Sequence, residues 1–220
     1  MAKLQADFGK SMRMERRKAI DAFLGGEGFE YRDGMHYFHG RHVITHETPI
    51  LNGVSIGEAE REAIHVDPNG KELLRLYKQV RERIVDPKTN AVQYNRVLPA
   101  VFATTHQSLH FDSAAVDALV ARKKAKADGI VVLDDFIKAG AGECRHQALL
   151  SAALIELLQK DKLLSGTVRV HRNKIPHVGG HMFPIYTWPN GIKEVIDVAQ
   201  NYMGPLKGGL WTYEQEKEKG

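Results

Sequence analysis

The stretch Ala141-Gly142-Glu143-Cys144-Arg145-His146-Gln147 brings the single cysteine of the chain to the first turn of its most apolar helix. From Cys144 to about Lys160, apolar residues recur at spacings of three and four, which predicts a largely buried helix. Unpaired backbone N–H groups and the positive end of the helix dipole both favour a thiolate there. We therefore interpret Cys144 as a candidate nucleophile. The alternative is a small core residue, because free cysteine is among the most buried residue types.

Two polar residues on predicted strands follow the cysteine. His181 comes after Gly179-Gly180, and Asp197 ends the strand-like run 192–197. The segment Trp188-Pro189-Asn190-Gly191 between them is a strong turn signal. The sequence thus predicts a hairpin whose two strands carry His181 and Asp197.

The centre of the turn decides whether these two side chains share a face. A loop of odd length centred on Pro189 pairs His181 directly with Asp197, with their Cβ atoms about 5 Å apart. A loop centred between Pro189 and Asn190 places them on opposite faces of the sheet. Gly191 can adopt a positive φ and suits the bulge that closes a three-residue loop. The direct pairing is therefore allowed, and both registers remain open.

A cysteine at a helix start, followed by a histidine and an aspartate on adjacent strands, resembles the transglutaminase-like superfamily of papain-fold cysteine enzymes. The resemblance covers roughly residues 70 to 202 and is sharpest at Gly142-Glu143-Cys144, Gly180-His181 and Val195-Ile196-Asp197. It implies an α+β fold in which the helix that bears the nucleophile packs on an antiparallel sheet. Cys144 would be the nucleophile, His181 its base, and Asp197 the group that orients the imidazole. The chain departs from the family at Arg145, where an aromatic residue is common, and at Met182-Phe183, where a small residue and a tryptophan often follow the histidine.

The resemblance implies an enzyme that attacks an amide, either a protein glutamine side chain or a peptide bond, through a thioester. Transfer of the acyl group to an amine is transglutamination, whereas transfer to water is deamidation or proteolysis. Its substrate would be a protein or peptide, and it implies no cofactor. The Cys144 N–H is one expected oxyanion donor. The second donor is open among Gln93, Asn95 and Gln107.

Three more residues near these motifs have two interpretations each. Arg145 is a candidate contact for an acidic substrate group, or it faces only solvent. Trp188 is a candidate wall of the acyl site, or it only packs at the turn. His146 is too close to Cys144 along the helix to act as its base, because neighbouring helical positions point apart, so we expect a surface or capping residue.

Composition predicts one domain with an extension: 220 residues, of which 43% are hydrophobic, are enough for a substantial core. We expect an N-terminal extension over 1–60, a catalytic domain over 61–205 and a C-terminal tail over 206–220. The 31 basic and 27 acidic residues give a charge of +4, which does not indicate nucleic-acid binding. No apolar run approaches the ~18 residues that span a bilayer, so we expect no integral membrane segment.

The extension is expected to contain a basic amphipathic helix up to about Leu24 and a hairpin with a turn near Gly40. The helix either packs on its own domain or binds a membrane or a protein partner. Further predictions are a polar helix or loop over 55–65, a helix over 71–85, two helices over 91–120 with a kink or break at Pro99 in the first, a strand over 167–171 and a loop over 201–209.

Two other functions remain open from the sequence. One is a binding module that keeps this fold without catalysis. The other is a metal site at His36, His39, His42 and His46, although no CxxC or HExxH spacing accompanies them. The first residues show no secretory apolar region, which favours a cytoplasmic protein, or a bacterial effector exported without a Sec signal. One cysteine excludes an intramolecular disulfide.

Overall fold

The structure, a computed structural model, describes residues 28–57, 61–123, 129–175 and 179–207. These residues form a mixed α+β fold with five helices and several small sheets. The helices are α1 (Lys71–Ile84), α2 (Tyr94–Ser108), α3 (Ser113–Lys123), α4 (Leu133–Ala139) and α5 (Cys144–Lys160). The strands are β1 (Phe29–Arg32), β2 (Met35–Phe38), β3 (Arg41–His42), β4 (Val54–Ser55), β5 (Ala63–His65), β6 (His110–Phe111), β7 (Ile130–Val132), β8 (Ala141–Gly142), β9 (Thr167–Ile175), β10 (Gly179–Thr187), β11 (Lys193–Asp197) and β12 (Tyr202–Pro205).

Helix α5 occupies the centre of the core, as its apolar periodicity predicts. Its residues 148–155 are at most 3% exposed. The helix packs on β9 and β10, and helices α1 and α2 also pack on it. Because the helix is buried on several sides, its own small and aliphatic residues occupy almost its whole circumference. Its first residue, Cys144, is consequently held in a fixed position relative to the sheet.

The largest sheet has four antiparallel strands in the order β12-β11-β10-β9. Val168, Val170 and Met182 belong to the core that also contains α5. Phe183, Ile185 and Val195 form a separate apolar cluster with Tyr202 and Leu206. Both faces of the sheet are therefore apolar near β10. The strand predicted over 167–171 is correct but extends to Ile175, and the loop predicted over 201–209 is wrong over Tyr202–Pro205, where β12 forms.

The helix predicted over 71–85 is confirmed as α1, and its start is capped from a distance. Asp134 of α4 accepts hydrogen bonds from the backbone N–H groups of Glu72 at 2.8 Å and Leu73 at 3.0 Å. These are two of the donors that a helix start leaves unpaired. Gly70 precedes the helix because a Cβ there would lie 2.3 Å from Asp134 Oδ1. The two helices predicted over 91–120 are α2 and α3, and α2 is continuous through Pro99, which excludes a break at that residue and leaves the kink as a prediction.

Residues on both sides of the boundary expected at 60/61 share one small sheet and one core. In the sheet β4-β5-β7, β5 lies between β4 and β7, so the polar helix or loop predicted over 55–65 is wrong at Ser55 and over Ala63–His65, where strands form. The backbone N–H groups of Ile50 and Leu51 donate to the half-buried carboxylate of Glu156 in α5 at 2.8–2.9 Å. The expected extension is thus hydrogen-bonded directly to the central helix α5 through Ile50 and Leu51.

The first strands form the sheet β1-β2-β3, with a turn at His39-Gly40 as predicted and another at Asp33-Gly34. The basic helix expected up to about Leu24 lies outside the described residues, as does the tail expected over 206–220 from residue 208 onward. Among the helices that the structure describes, none is long and apolar enough to cross a bilayer.

Candidate active site

Cys144 begins α5 directly after the short strand β8. Strand β8 pairs in parallel with β6, so that Gly142 lies opposite Phe111. A side chain at position 142 would be crowded, because its Cβ would lie 3.0 Å from the Cβ of His146. Cys144 is a partly exposed residue, whereas His181 and Asp197 are only 6% and 1% exposed. The cysteine is thus less deeply buried than the two groups behind it.

The structure brings the three predicted residues together. His181 Nε2 lies 2.6 Å from Asp197 Oδ2, and the other carboxylate oxygen, Oδ1, accepts the backbone N–H of Gln200 at 3.2 Å. The Cys144 sulfur is hydrogen-bonded to His181 and to the backbone N–H of Met182. Because Nε2 contacts the carboxylate, Nδ1 is the ring nitrogen left to exchange a proton with the sulfur.

The hairpin register differs from both registers considered from the sequence. Ile185 pairs with Val195 and Thr187 with Lys193, so the three-residue loop is centred on Asn190 and not on Pro189. Direct pairing of His181 with Asp197 is therefore wrong, and the two positions are offset by two residues. They still share a face because side chains alternate with a period of two. Gly191 closes the loop with φ of 85°, as expected for the bulge.

The ionisation of Cys144 and His181 is coupled. Burial alone would raise the pKa of Cys144, but the hydrogen bonds from His181 and from the Met182 N–H outweigh it, and the pKa is lowered. Burial alone would lower the pKa of His181, but the hydrogen bonds with Asp197 and Cys144 and their negative charges raise it to about 9. Both shifts favour a thiolate beside an imidazolium at neutral pH.

Sequence reasoning missed a charged network behind the cysteine. Glu143 is buried and forms an ion pair with Arg61, whose side chain is half-exposed. Glu62 is buried and forms an ion pair with Arg145, while His146 Nε2 lies 3.2 Å from Glu62 Oε1. Burial opposes ionisation of Glu62, but His146 and Arg145 lower its pKa to about 2. These charges hold the first turn of α5 against the segment that starts at Arg61.

The structure corrects the expectations for Arg145 and His146. Arg145 is 5% exposed, and its guanidinium contacts Glu62 and donates to the Glu62 carbonyl at 3.1 Å, so it faces neither solvent nor an open substrate surface. His146 is fully buried, which excludes the surface location. It does act as a capping residue, because its Nδ1 accepts the backbone N–H of Glu143 at 3.0 Å.

Trp188 lies far from the thiol and packs at the hairpin turn. Its indole contacts the Tyr186 ring edge-on at 4.8 Å and donates to Glu194 at 3.0 Å. Seven strand residues separate it from His181, which at ~3.3 Å per residue is about 23 Å. It therefore packs at the turn, as one of its two interpretations has it, and a contact with a protein or peptide substrate there stays a prediction.

The candidates for a second oxyanion donor are not supported by their positions. Gln93 and Asn95 lie at the start of α2, whereas Leu109, beyond its end, contacts α5 through Gln147. Fourteen residues of helix separate Asn95 from Leu109, about 21 Å at ~1.5 Å per residue. Gln107 is closer, but its side-chain oxygen accepts from Arg83 at 3.3 Å.

The four histidines of 36–46 each have different neighbours. His36 lies against Tyr31, His39 packs on Phe38, His42 Nε2 contacts the Pro49 carbonyl and His46 lies beside Glu47. Among the residues that the structure describes, no group of three histidine, cysteine or acidic side chains is arranged to hold a metal ion.

The arrangement at Cys144 contains the parts of a covalent catalyst: a partly exposed cysteine, a buried imidazole beside it and a carboxylate that fixes the ring. At the start of α5 the His146 N–H is bonded to Glu143, so the Cys144 N–H stays the predicted donor to a developing negative charge. Comparison of the chain with protein-family models, with curated proteins and with solved structures found no match in any of the three.

Proposed function

We propose that this chain is a transglutaminase-like cysteine enzyme with a papain-like core, which attacks an amide of a protein or peptide through a thioester at Cys144. The observation that carries the proposal is the contact series from the Cys144 sulfur through the His181 ring to Asp197, with 2.6 Å between His181 Nε2 and Asp197 Oδ2. A structural thiol needs neither a hydrogen-bonded imidazole nor a buried carboxylate behind that imidazole.

In the first half-reaction the thiolate attacks the carbonyl carbon of the amide. A carbon–sulfur bond forms, and the negative charge that develops on oxygen is stabilised by the Cys144 N–H. The intermediate then collapses, the carbon–nitrogen bond breaks, and His181 gives its proton to the departing nitrogen. The pKa of His181, raised to about 9, keeps this proton available at neutral pH.

In the second half-reaction an amine or a water molecule attacks the thioester. His181 takes the proton from the attacking group, the carbon–sulfur bond breaks, and the thiolate and imidazolium are restored. Asp197 stays ionised throughout and holds the ring in one orientation. Transfer to an amine gives a new amide, whereas transfer to water gives a carboxylate, and both follow from the same thioester.

The rate of iodoacetamide alkylation at Cys144 tests the proposal. We would follow it by intact mass between about pH 5 and 9 for the native protein, His181→Ala and Asp197→Asn. The native thiol should label at pH 6 at least about tenfold faster than a free cysteine, and His181→Ala should lose this advantage. His171→Ala is a matched control, because His171 is a partly buried histidine of the neighbouring strand that stacks on Phe183.

A thiol that titrates like free cysteine in all these proteins would contradict the enzyme proposal and favour a non-catalytic binding module. If the thiol is reactive, incubation of casein with a fluorescent alkylamine then separates the two outcomes of the second half-reaction. Incorporation of the amine identifies transfer, and release of ammonia or of peptides without incorporation identifies hydrolysis.

A further inference from the structure

Arg61 places an exposed positive charge beside the nucleophile. Its guanidinium forms an ion pair with Glu143, the residue directly before Cys144. The Glu143 side chain also accepts the backbone N–H of His146, so its carboxylate lies at the first turn of α5. The guanidinium is thereby held at the end of α5 that carries the thiol, and its charge interacts with that of the Cys144 thiolate.

The Arg61 guanidinium has donors left for a second anion. Its side chain is 55% exposed, compared with 8% for the side chain of Glu143. A guanidinium carries five N–H donors in a planar fork, and among the described residues that of Arg61 donates one hydrogen bond, from its NH1 group to Glu143. A carboxylate that arrives from solvent can therefore bind the exposed part of the fork without displacing Glu143.

The other charges near the thiol leave Arg61 as the exposed cation of the site. Three acidic residues there are at most 6% exposed and each contacts a basic side chain: Glu62, Glu143 and Asp197. Of their basic partners, Arg145 and His181 are buried, whereas Arg61 is exposed. Asp112 is exposed as well, but its Oδ1 accepts the Ala115 N–H at 2.9 Å, which turns the carboxylate toward the start of α3.

We propose that Arg61 determines substrate specificity by binding an acidic side chain next to the amide that reacts at Cys144. Arg61 would thus have the role that the sequence suggests for Arg145, which is buried. The assignment to a substrate rests on the proposed function, whereas the preference for an anion rests only on the position and exposure of Arg61. The preference should be about two- to fivefold, as for an exposed ion pair.

Alkylation of Cys144 by reagents that differ in charge tests the proposal. Iodoacetate and iodoacetamide both form a carbon–sulfur bond with the thiolate and release iodide, so the ratio of their rates cancels a change in the pKa of the thiol. N-iodoacetylglycine and its amide form a second pair, in which the carboxylate lies further from the sulfur. In at least one pair, Arg61→Gln should lower the ratio of the anionic to the neutral rate about two- to fivefold.

A double variant separates the loss of Arg61 from the exposure of an uncompensated Glu143. Arg61→Gln combined with Glu143→Gln removes both charges, and the glutamine at 143 keeps an oxygen that can accept the His146 N–H. Its ratio should stay below that of the native protein because the exposed cation is absent. Arg75→Gln, which removes a half-exposed arginine paired with Glu72, should leave the ratio unchanged. Circular dichroism melting identifies a variant that fails to fold, and the single variant Arg61→Gln retains the test if the double variant does so.

An unchanged ratio for both reagent pairs in Arg61→Gln, or a ratio in the double variant equal to the native one, would overturn the role of Arg61. The result is separable from the proposed function, because even an unactivated thiol reacts with all four reagents above its pKa of ~8.5. A lowered ratio with a thiol that titrates like free cysteine overturns only the enzyme proposal. A reactive thiol with an unchanged ratio overturns only the specificity assigned to Arg61.

Discussion

Replacement of Glu62 by glutamine should destabilise the protein by about 3 kcal/mol at pH 7, because it removes the buried partner of Arg145. The pKa of Glu62 is lowered from its usual 4.5 to about 2, a difference that corresponds to about 3 kcal/mol of stability. Removal of one member of a buried ion pair typically costs about 3–5 kcal/mol, because the other charge stays buried. The two estimates agree.

The lowered pKa of Glu62 also predicts how the destabilisation by Glu62→Gln changes with pH. A carboxyl whose folded-state pKa is depressed contributes its full stability above the unfolded pKa of about 4.5 and loses it as the pH falls toward 2. The difference between the native protein and Glu62→Gln should therefore shrink from about 3 kcal/mol at pH 7 to about 1 kcal/mol at pH 3. Urea unfolding followed by circular dichroism at both pH values measures it, with a midpoint shift of about 1 M at pH 7.

Glu82→Gln is the matched control, because Glu82 is an exposed glutamate in a 3.9 Å pair with Lys78. Exposed pairs of this kind contribute at most about 1 kcal/mol. If Glu62→Gln costs no more than Glu82→Gln, or costs the same at pH 3 and pH 7, the buried carboxylate does not hold the start of α5 as argued.

Arg61→Gln should slow alkylation of Cys144 about two- to fivefold at pH 6, because it leaves the Glu143 carboxylate uncompensated beside the thiolate and raises the thiol pKa. Arg75→Gln, which removes another half-exposed arginine paired with a glutamate, should leave the rate unchanged, and equal rates in both variants would refute the role of Arg61. For turnover of an amide, the pKa of about 9 of the triad histidine sets an upper limit. Turnover should fall above pH 9 because the imidazolium proton is lost, whereas alkylation, which needs only the thiolate, should not fall. A decline of both rates above pH 9 would contradict the role of His181 as the acid.

Periodicity predicts the long elements of this fold because each long element buries a face of its own. Helices α1 and α5 show apolar residues at helical spacing over 14 and 17 residues, and both lie where the sequence places them. The short strands β6 and β8 have two residues each and pair with each other. Two residues contain no period, and the two strands lie far apart in the sequence, so they follow from the tertiary fold alone.

The charged network shows a different limit of sequence reasoning. Arg145 is predicted to reach substrate or solvent because isolated arginines are rarely buried. It is buried because Glu62, 83 residues earlier in the chain, lies against it. Arg61-Glu62 and Glu143-Arg145 do contain opposite charges in matching numbers, but nothing in either segment indicates that the two meet.

The contact between His181 and Asp197 requires that both side chains lie on the same face of the sheet, and more than one hairpin register satisfies this requirement. In the observed hairpin the two positions are diagonal neighbours, for which Cα separations of about 7–8 Å are typical, compared with about 5 Å for directly opposed positions. An imidazole reaches across the larger separation, and the 2.6 Å contact of Nε2 with Asp197 leaves Nδ1 facing the sulfur. A shift by one residue would instead move the carboxylate to the opposite face of the sheet. The turn sequence at 188–191 therefore determines the site, because an odd number of loop residues places His181 and Asp197 on the same face of the sheet. Gly191, with φ of 85°, permits the three-residue loop.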